Sequence, residues 1–239
     1  MARAVTQIWD HTRFAHPRFD RVRDLLGRFA GEPAWPTIDA LDAALAPELR
    51  SVEVRLVEAP KTRAALDANG LIDPASLYEV RIVEHGEIPS RPHNLHDLLN
   101  ALVWAAFPQS KLALTRRLAT IQRARAAGRS TLPSTRTREH DRLAMIDEGA
   151  LLHVTDRDTT IWIFGHAIYE HTYAGDLAVR GAAVDLTLPG IDELDLAAAR
   201  AAIDHGLASL DLATVVRDGP GVDVDSRTAV RDGPGIDVD

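Results

Sequence analysis

The stretch that decides the fold is PHNLHDLLNALVWAAFP, residues 92–108. Its leucines recur at helical spacing, and Val103 and Phe107 extend the apolar surface around the other side. Asn94 is the predicted N-cap, because its side chain can accept a hydrogen bond from a free backbone N–H of the first turn. A helix that is apolar on nearly every side is expected in the core. The predicted core residues are Leu95, Leu98, Leu99 and Leu102.

Three polar side chains, His96, Asp97 and Asn100, lie in the first turns of this predicted helix. His96 and Asn100 share a helix face because they are four positions apart, and Asp97 lies beside that face. Burial of an unpaired imidazole or carboxylate is costly. The stretch therefore predicts that these groups meet polar partners from elsewhere in the chain.

The best partners lie in a second polar stretch, residues 166–171, where His166 and Glu170 are also four positions apart on a predicted helix. We expect His166 or Glu170 to lie within hydrogen-bond or shared-metal distance of His96 or Asp97. A third source of carboxylates is Asp147-Glu148. These residues are expected at the tip of a hairpin between predicted strands 142–146 and 151–155, and Glu148 is interpreted as a plain turn residue.

Three interpretations of these polar residues stay open. The first is a satisfied hydrogen-bond network that fixes helix against helix. The second is a divalent metal site for zinc, iron or manganese, since two histidines with carboxylates are a normal ligand set and no HExxH motif narrows the choice. The third is metal-free acid–base chemistry, in which a carboxylate orients an imidazole. The candidate catalytic residues are His96, Asp97, Asn100, His166 and Glu170; the candidate metal ligands are His96, Asp97, His166, Glu170 and, as a weaker candidate, Asp147.

Composition narrows the class of protein. The chain has 239 residues and no cysteine, so any metal site must use histidine, carboxylate or amide ligands. No apolar run approaches the roughly 18 residues of a membrane span, and the first residues lack the apolar segment of a secretory signal. We therefore expect a cytoplasmic protein with no membrane partner.

Charge is unevenly distributed along the chain. Residues 111–142 contain nine basic and two acidic residues, a net charge of +7, whereas the whole chain carries −8 and the remainder therefore −15. This basic block predicts an anionic partner or, alternatively, a solvated helix face. Arg91, Arg136 and Arg138 are the candidate substrate-binding residues. The net negative charge argues against a protein that coats nucleic acid, although nucleic acid stays among the alternative partners.

The predicted fold class is α+β, with mixed helices packed on a small, mainly antiparallel sheet. Alternation at 51–58 and the segment YEVRIV at 78–83 indicate two of its strands. Residues 1–212 are predicted to form a single domain. Residues 213–239 form an acidic tail in which TVVRDGPGVDVD recurs as TAVRDGPGIDVD, and we expect this duplicated tail to be disordered.

The pattern His-Asp-x-x-Asn-Ala-Leu-x-Trp at residues 96–104 resembles a bacterial family catalogued as domain of unknown function 3025. The resemblance covers roughly residues 17–190. This chain departs from the family pattern at Leu95, commonly Trp, and at Gln109-Ser110, usually Arg-Thr. The stretches that carry the resemblance are 87–91, 94–104, 107–108, 111, 141–143, 147–148 and 164–170.

The resemblance implies a shared location for six polar residues but no activity. From the residues themselves we expect a hydrolase-like enzyme that acts on an anionic small substrate through a His/Asp/Glu centre. The alternative is a non-catalytic binding module whose polar cluster is structural and whose basic helix docks an acidic partner or nucleic acid. An opening from solvent to the cluster favours the enzyme, and a sealed cluster favours the module. The six residues are His96, Asp97, Asn100, Asp147, His166 and Glu170.

Overall fold

The computed structural model describes residues 9–31, 33–59, 65–176, 178–212, 214–215 and 222–223. Within these ranges no helix combines the length and the apolar character needed to cross a membrane. The α-helices are α1 Arg23–Leu26, α2 Ile38–Arg50, α3 Tyr78–His85, α4 Leu95–Ala106, α5 Pro108–Ala126, α6 Arg138–Gly149, α7 His166–Ala174 and α8 Leu196–Ala208. The strands are β1 Arg55–Glu58, β2 Glu87–Ser90, β3 Ala150–Thr155, β4 Thr159–Ile163, β5 Arg180–Thr187 and β6 Val222–Asp223. Short 3₁₀ helices span His11–Ala15, Pro17–Val22, Pro74–Ser76 and Ile191–Glu193.

The predicted α+β class is confirmed, with more helix than strand. Strands β1 and β2 form a parallel pair, and the larger sheet has the order β4-β3-β5-β6. Within it β3 pairs antiparallel with β4 and parallel with β5, while β5 pairs antiparallel with β6. The pairing is therefore mixed rather than mainly antiparallel, because α7 follows β4 and returns the chain to the far side of β3.

Two predicted strands are helices. Residues 78–83 lie in α3, where Val80 packs in a small apolar cluster beside α5 and Ile82 packs in the main core. A short helix that is buried on two sides can show the same alternation of apolar and polar residues as a strand. Residues 142–146 lie in α6, which Thr137 caps by accepting the N–H of His140. The hairpin is instead formed by β3 and β4. Because α6 extends to Gly149, Asp147 and Glu148 lie in the last turn of this helix and not in a hairpin loop.

Helix α4 is buried as predicted. Asn94 accepts the backbone N–H of Asp97, which confirms the N-cap. The four predicted core leucines are at most 4% exposed, and α4 packs against α2, α5 and α7. The apolar faces fix this helix in the core, and its polar first turns are left facing α6 and α7.

The N-terminus of α5 is capped by a side chain from a distant helix. Asp204 of α8 accepts the backbone N–H groups of Gln109 (3.0 Å) and Ser110 (2.8 Å). The Ser110 hydroxyl donates to the Asp204 carbonyl, at 2.8 Å. One turn earlier on α8, Arg200 donates to both carboxylate oxygens of Asp24. We call Asp24, Ser110, Arg200 and Asp204 the α8 polar cluster.

The predicted tail falls mostly outside the described residues. Its residues Val222–Asp223 form β6 and pair with Arg180 and Gly181 of β5. Val215 is partly buried against the main core. The disorder expected for the duplicated tail stays a prediction. The single-domain boundary at residue 212 stays a prediction.

Candidate functional site

Three helices bring the candidate site together. His96 comes from the first turn of α4, Glu148 from the last turn of α6, and His166 from the start of α7. Glu170 follows one turn along α7. We call His96, Glu148, His166 and Glu170 the histidine cluster.

A close backbone contact seats the start of α7 against the end of α6. Gly165 precedes His166, and a Cβ atom at Gly165 would overlap the backbone of Gly149. The Gly165 N–H also donates to the carbonyl of Ala150, at 2.9 Å. Only glycine fits such an approach, so the local sequence holds His166 beside the turn that carries Glu148.

The two histidines are in direct contact, as expected from the sequence. The Nε2 atoms of His96 and His166 are 3.2 Å apart, and the rings meet edge to face. On the other side of its ring, His96 Nδ1 lies 3.0 Å from Glu170 Oε2. His166 Nε2 lies 3.3 Å from Glu148 Oε2. Polar atoms from α4, α6 and α7 therefore converge on a single point.

The cluster has a buried floor and an open side. The His166 side chain is only 2% exposed, whereas the side chains of His96, Glu148 and Glu170 are 36%, 51% and 32% exposed. The two best-defined cavities lie elsewhere, one beside Gly86 and Arg116 and the other beside Phe14 and Leu26. Solvent reaches the cluster at the exposed side chains of His96, Glu148 and Glu170.

The two imidazoles have opposite electrostatic environments. The hydrogen bond to Glu170 raises the pKa of His96, and burial opposes it less strongly. Burial, the largest cause, and the nearby charge of Lys111 together lower the pKa of His166 to about 4. His166 is therefore neutral at physiological pH and keeps a lone pair, which is the form that binds metals.

The two glutamates also differ. The hydrogen bond from His96 holds the pKa of Glu170 below its usual range, so Glu170 is a carboxylate that accepts Nδ1–H. Burial raises the pKa of Glu148. With Nδ1–H donated to Glu170, the neutral His96 ring presents its Nε2 lone pair towards His166. A carboxylate that orients a histidine in this way is typical of metal sites.

Among the described residues, one set of ligand atoms could hold a metal ion: those of His96, Glu148 and His166, which all lie within 4.8 Å of one another. In tetrahedral zinc sites with Zn–N distances of about 2.0–2.1 Å, neighbouring ligand atoms are about 3.3 Å apart. The observed separations of 3.2 Å and 3.3 Å match that spacing. The same Nε2–Nε2 distance also fits a hydrogen bond from protonated His96 to neutral His166.

The ligand-capable set differs from the predicted one. Glu148, interpreted as a turn residue, lies in the set, whereas Asp97, Asp147 and Glu170 do not. The Asp97 carboxylate is held by Arg91, which donates two side-chain N–H bonds of 2.8 Å and its backbone N–H at 2.7 Å. Asp147 forms an ion pair with Lys111, and Glu170 contacts His96 on the opposite ring nitrogen.

Asn100 contacts a buried lysine rather than the histidines. Its Oδ1 accepts from Lys111 Nζ at 2.8 Å, and its Nδ2 donates to the hydroxyl of Tyr78 at 2.9 Å. Lys111 is 2% exposed, whereas the sequence placed it in the basic block and among the positions of the family resemblance without predicting its burial. Its register was the missed signal: Lys111 falls on the same helical face as the buried Leu114 and Leu118.

Only one of the three candidate substrate-binding arginines lies near the cluster. Arg91 is 59% exposed, and its charge interacts with Glu170. Arg138 begins α6, ten residues and thus about 15 Å before Glu148 along the helix axis. Arg136 precedes that helix, and its charge acts on Glu79 and His140. The structure does not bring Arg136 and Arg138 to the histidine cluster.

Fold and site together define an α+β protein with a solvent-open cluster of two histidines and a carboxylate. Residues 67–159 match a family described as "Protein of unknown function (DUF3025)". The match confirms the predicted resemblance over that stretch, which is less than half of the chain; it contains His96 and Glu148 and ends before His166. No curated protein and no solved structure matches the chain.

Proposed function

We propose that this protein is a metal-dependent, hydrolase-like enzyme that acts on an anionic small substrate. The observation that carries the proposal is the convergence of His96, Glu148 and His166 ligand atoms at one solvent-open point. Two histidines and one carboxylate bind zinc in catalytic sites and leave a coordination position open. The cytoplasm stays the proposed compartment.

The chemistry follows from that open position. A bound divalent cation lowers the pKa of a coordinated water and so supplies a hydroxide at neutral pH. Neutral His166 and the Nε2 atom of His96 serve as nitrogen ligands, and Glu148 adds a negative charge. Glu170 orients His96 through Nδ1, which keeps Nε2 free for the cation. An ester that enters from the exposed side could then be attacked by that hydroxide at its reacting atom. The bond to the leaving oxygen breaks, and the proton of the water passes to that oxygen.

An anionic substrate is supported by charge at the rim. Arg91 is exposed and lies within electrostatic reach of Glu170, although it already binds Asp97. The cation itself would attract an anion to the same place. Phosphate esters are one substrate class that combines a negative charge with a hydrolysable bond.

The alternative is a non-catalytic module, and a different surface supports it. Arg136 and Arg138 are exposed at the end of α6 that lies away from Glu148. No ion pair within the described ranges involves either side chain. In this alternative the Nε2–Nε2 contact is a structural hydrogen bond, and the arginines dock an acidic partner or nucleic acid.

Zinc titration of chelator-treated protein tests the proposal. We expect one zinc ion per chain and loss of binding in His166→Ala and Glu148→Gln, because each variant removes one of the three ligands. His171→Ala is the matched control: His171 is on the same helix as His166, but it is exposed and contacts Asp176. Zinc binding by the control should equal that of the wild type.

Activity gives the second half of the test. The zinc-loaded protein should hydrolyse 4-nitrophenyl phosphate faster than the neutral acetate ester of the same phenol, and His166→Ala should lose that activity. A wild-type protein that binds no zinc, iron or manganese would contradict the proposal and favour the docking module. Zinc binding without hydrolysis of either ester would leave a metal-binding module and remove the hydrolase.

A further inference from the structure

We propose that Lys111 is a positioning residue that sets the separation of the metal ligands His96 and Glu148. The inference rests on the proposed metal site. It adds a residue that lies outside the ligand set and belongs to a different helix, α5. The argument depends on what the lysine touches, how deeply it is buried, and which helices it joins.

The ammonium group of Lys111 joins the two helices that carry these ligands. Nζ donates to Asn100 Oδ1 of α4, at 2.8 Å, and forms an ion pair with Asp147 of α6. Asn100 lies one turn after His96, and Asp147 directly precedes Glu148. One charged group therefore bridges α4 and α6 within one turn of each ligand.

Asp147 extends this link towards the third ligand. Its backbone lies near the His166 ring, whose Nδ1 has no hydrogen-bond partner among the described residues. Movement of Asp147 would shift both Glu148 and the backbone against which His166 rests. Lys111 therefore acts on all three ligands while contacting none of them.

The position of the ammonium is strongly constrained. The Lys111 side chain is 2% exposed, and its Nζ lies 5.7 Å from the centre of the Trp104 ring. A buried ammonium must keep its partners, because solvent cannot replace them. The hydrogen bond between Asn100 Nδ2 and the Tyr78 hydroxyl fixes the amide, so that its oxygen faces the lysine. The Asn100 end of the bridge is thus fixed by a second hydrogen bond.

A buried ion pair can also serve stability alone, and the chain offers a comparison. Arg200 is similarly buried, with 7% side-chain exposure, and binds Asp24 through two hydrogen bonds. This pair joins α8 to α1, and the Arg200 hydrogen bonds within the described residues go to Arg21 and Asp24, not to the side chains of the ligands. Loss of Arg200 should lower stability without altering the metal site, whereas loss of Lys111 should alter both.

The experiment compares zinc affinity in the full-length wild type, Lys111→Met and Arg200→Met by competition with a chromophoric chelator. Removal of groups that orient metal ligands typically weakens affinity about 10–100-fold, and we expect a loss of that size in Lys111→Met. We expect wild-type affinity in Arg200→Met. The visible absorption spectrum of bound Co²⁺ should shift in Lys111→Met only, since the ligand geometry changes there.

The outcomes separate this inference from the proposed function. If the wild type binds zinc and Lys111→Met binds it equally well, Lys111 is a structural residue and the inference is wrong. An equal loss in Arg200→Met would also overturn it, because the effect would then follow stability. A wild type that binds no metal overturns the proposed function and this inference with it.

A milder variant covers the case in which Lys111→Met does not fold. Asn100→Ala removes the α4 end of the bridge and leaves the ion pair with Asp147 in place. We expect weaker zinc binding in Asn100→Ala and partial recovery in Asn100→Gln, whose longer side chain keeps an amide oxygen. Unchanged affinity in Asn100→Ala would contradict the bridge.

Discussion

The histidine cluster and the α8 polar cluster are two groups of polar side chains that lie against the same apolar core. They differ in how many of their hydrogen bonds are made within the protein. In the α8 polar cluster, Asp204 accepts two backbone N–H groups and Arg200 binds both oxygens of Asp24. In the histidine cluster, two imidazole nitrogens face each other beside a half-exposed carboxylate. The α8 polar cluster is a hydrogen-bond network with its partners within the protein, whereas the histidine cluster keeps nitrogen and oxygen atoms that could bind a ligand.

This difference separates structure from function more clearly than burial does. A polar group that only supports the fold is expected to have all its hydrogen bonds made within the protein. A group that binds a ligand must keep a lone pair or an open side for it. The predictions below use this contrast and run from the largest expected effect to the smallest.

The largest effect is expected on the apolar face of α4, the helix that carries His96. Leu98 is 4% exposed, so Leu98→Ala should lower the free energy of unfolding by about 2–5 kcal/mol through lost burial and a cavity. Leu66 is 56% exposed, so Leu66→Ala should change it by less than about 0.5 kcal/mol. Urea denaturation of both variants measures the difference. Equal losses would mean that α4 does not lie in the core.

A smaller effect distinguishes the two polar clusters. Asp204→Ala leaves the N–H groups of Gln109 and Ser110 without an acceptor, at a cost of about 1–3 kcal/mol in unfolding free energy. Glu148 is half-exposed, so Glu148→Gln should change stability by less than about 0.5 kcal/mol while abolishing zinc binding.

Thermal and chemical denaturation of the metal-free variants, with zinc titration beside them, checks this pair. A large stability loss in Glu148→Gln would mean that the histidine cluster serves the fold. No loss in Asp204→Ala would mean that water replaces the carboxylate, and the contrast between the clusters would disappear.

At neutral pH the smallest effects are those of single protons on the two histidines, and they grow only as the pH is changed. Burial keeps the pKa of His166 near 4, so its neutral form stabilises the fold above pH 6.5, the ordinary value. That contribution is lost as the pH falls from about 6.5 to 4, where the unfolded chain binds the extra proton. The pKa of His96 is raised, so its contribution is present below the ordinary value and is lost as pH rises through the raised pKa.

Imidazole chemical shifts in the metal-free protein measure both titrations. We expect His96 to titrate above the ordinary pKa and His166 far below it. His166→Ala assigns the resonances. A His166 ring that titrates at its ordinary pKa would show that solvent reaches the floor of the cluster, which contradicts its burial.

Much of the fold, and the meeting of the two polar helices, could be predicted from local patterns. The N-cap at Asn94 and the apolar stripe of α4 depend only on neighbouring residues, so the sequence specifies them directly. The contact between His96 and His166 followed from the cost of burying polar groups alone. These predictions used physical rules that do not require the packing of distant elements.

The remaining errors have one physical origin. Residues 78–83 alternate like a strand because α3 is buried on two sides, and residues 142–146 are too short a segment to show the single face that α6 buries at His140, Leu143 and Ile146. In both cases only the tertiary structure decides between helix and strand. Once 142–146 is a helix, Glu148 rather than Asp147 faces His166. The burial of Lys111 could not be predicted from the sequence, because it begins an arginine-rich block and is buried only through partners from α4 and α6.

The contact at Gly165 sets a limit on how this sequence can vary. Neither Gly165 nor Gly149 is a ligand, yet any side chain at Gly165 would push the start of α7 away and carry His166 with it. Gly181 of β5 is similarly crowded, against the carbonyl of Gly149. Three glycines from three elements therefore meet beside the cluster. Even Gly165→Ala, the smallest possible substitution, would shift the backbone at the start of α7 and so displace the His166 ring. The site therefore tolerates no side chain at this position, although Gly165 is not itself a ligand.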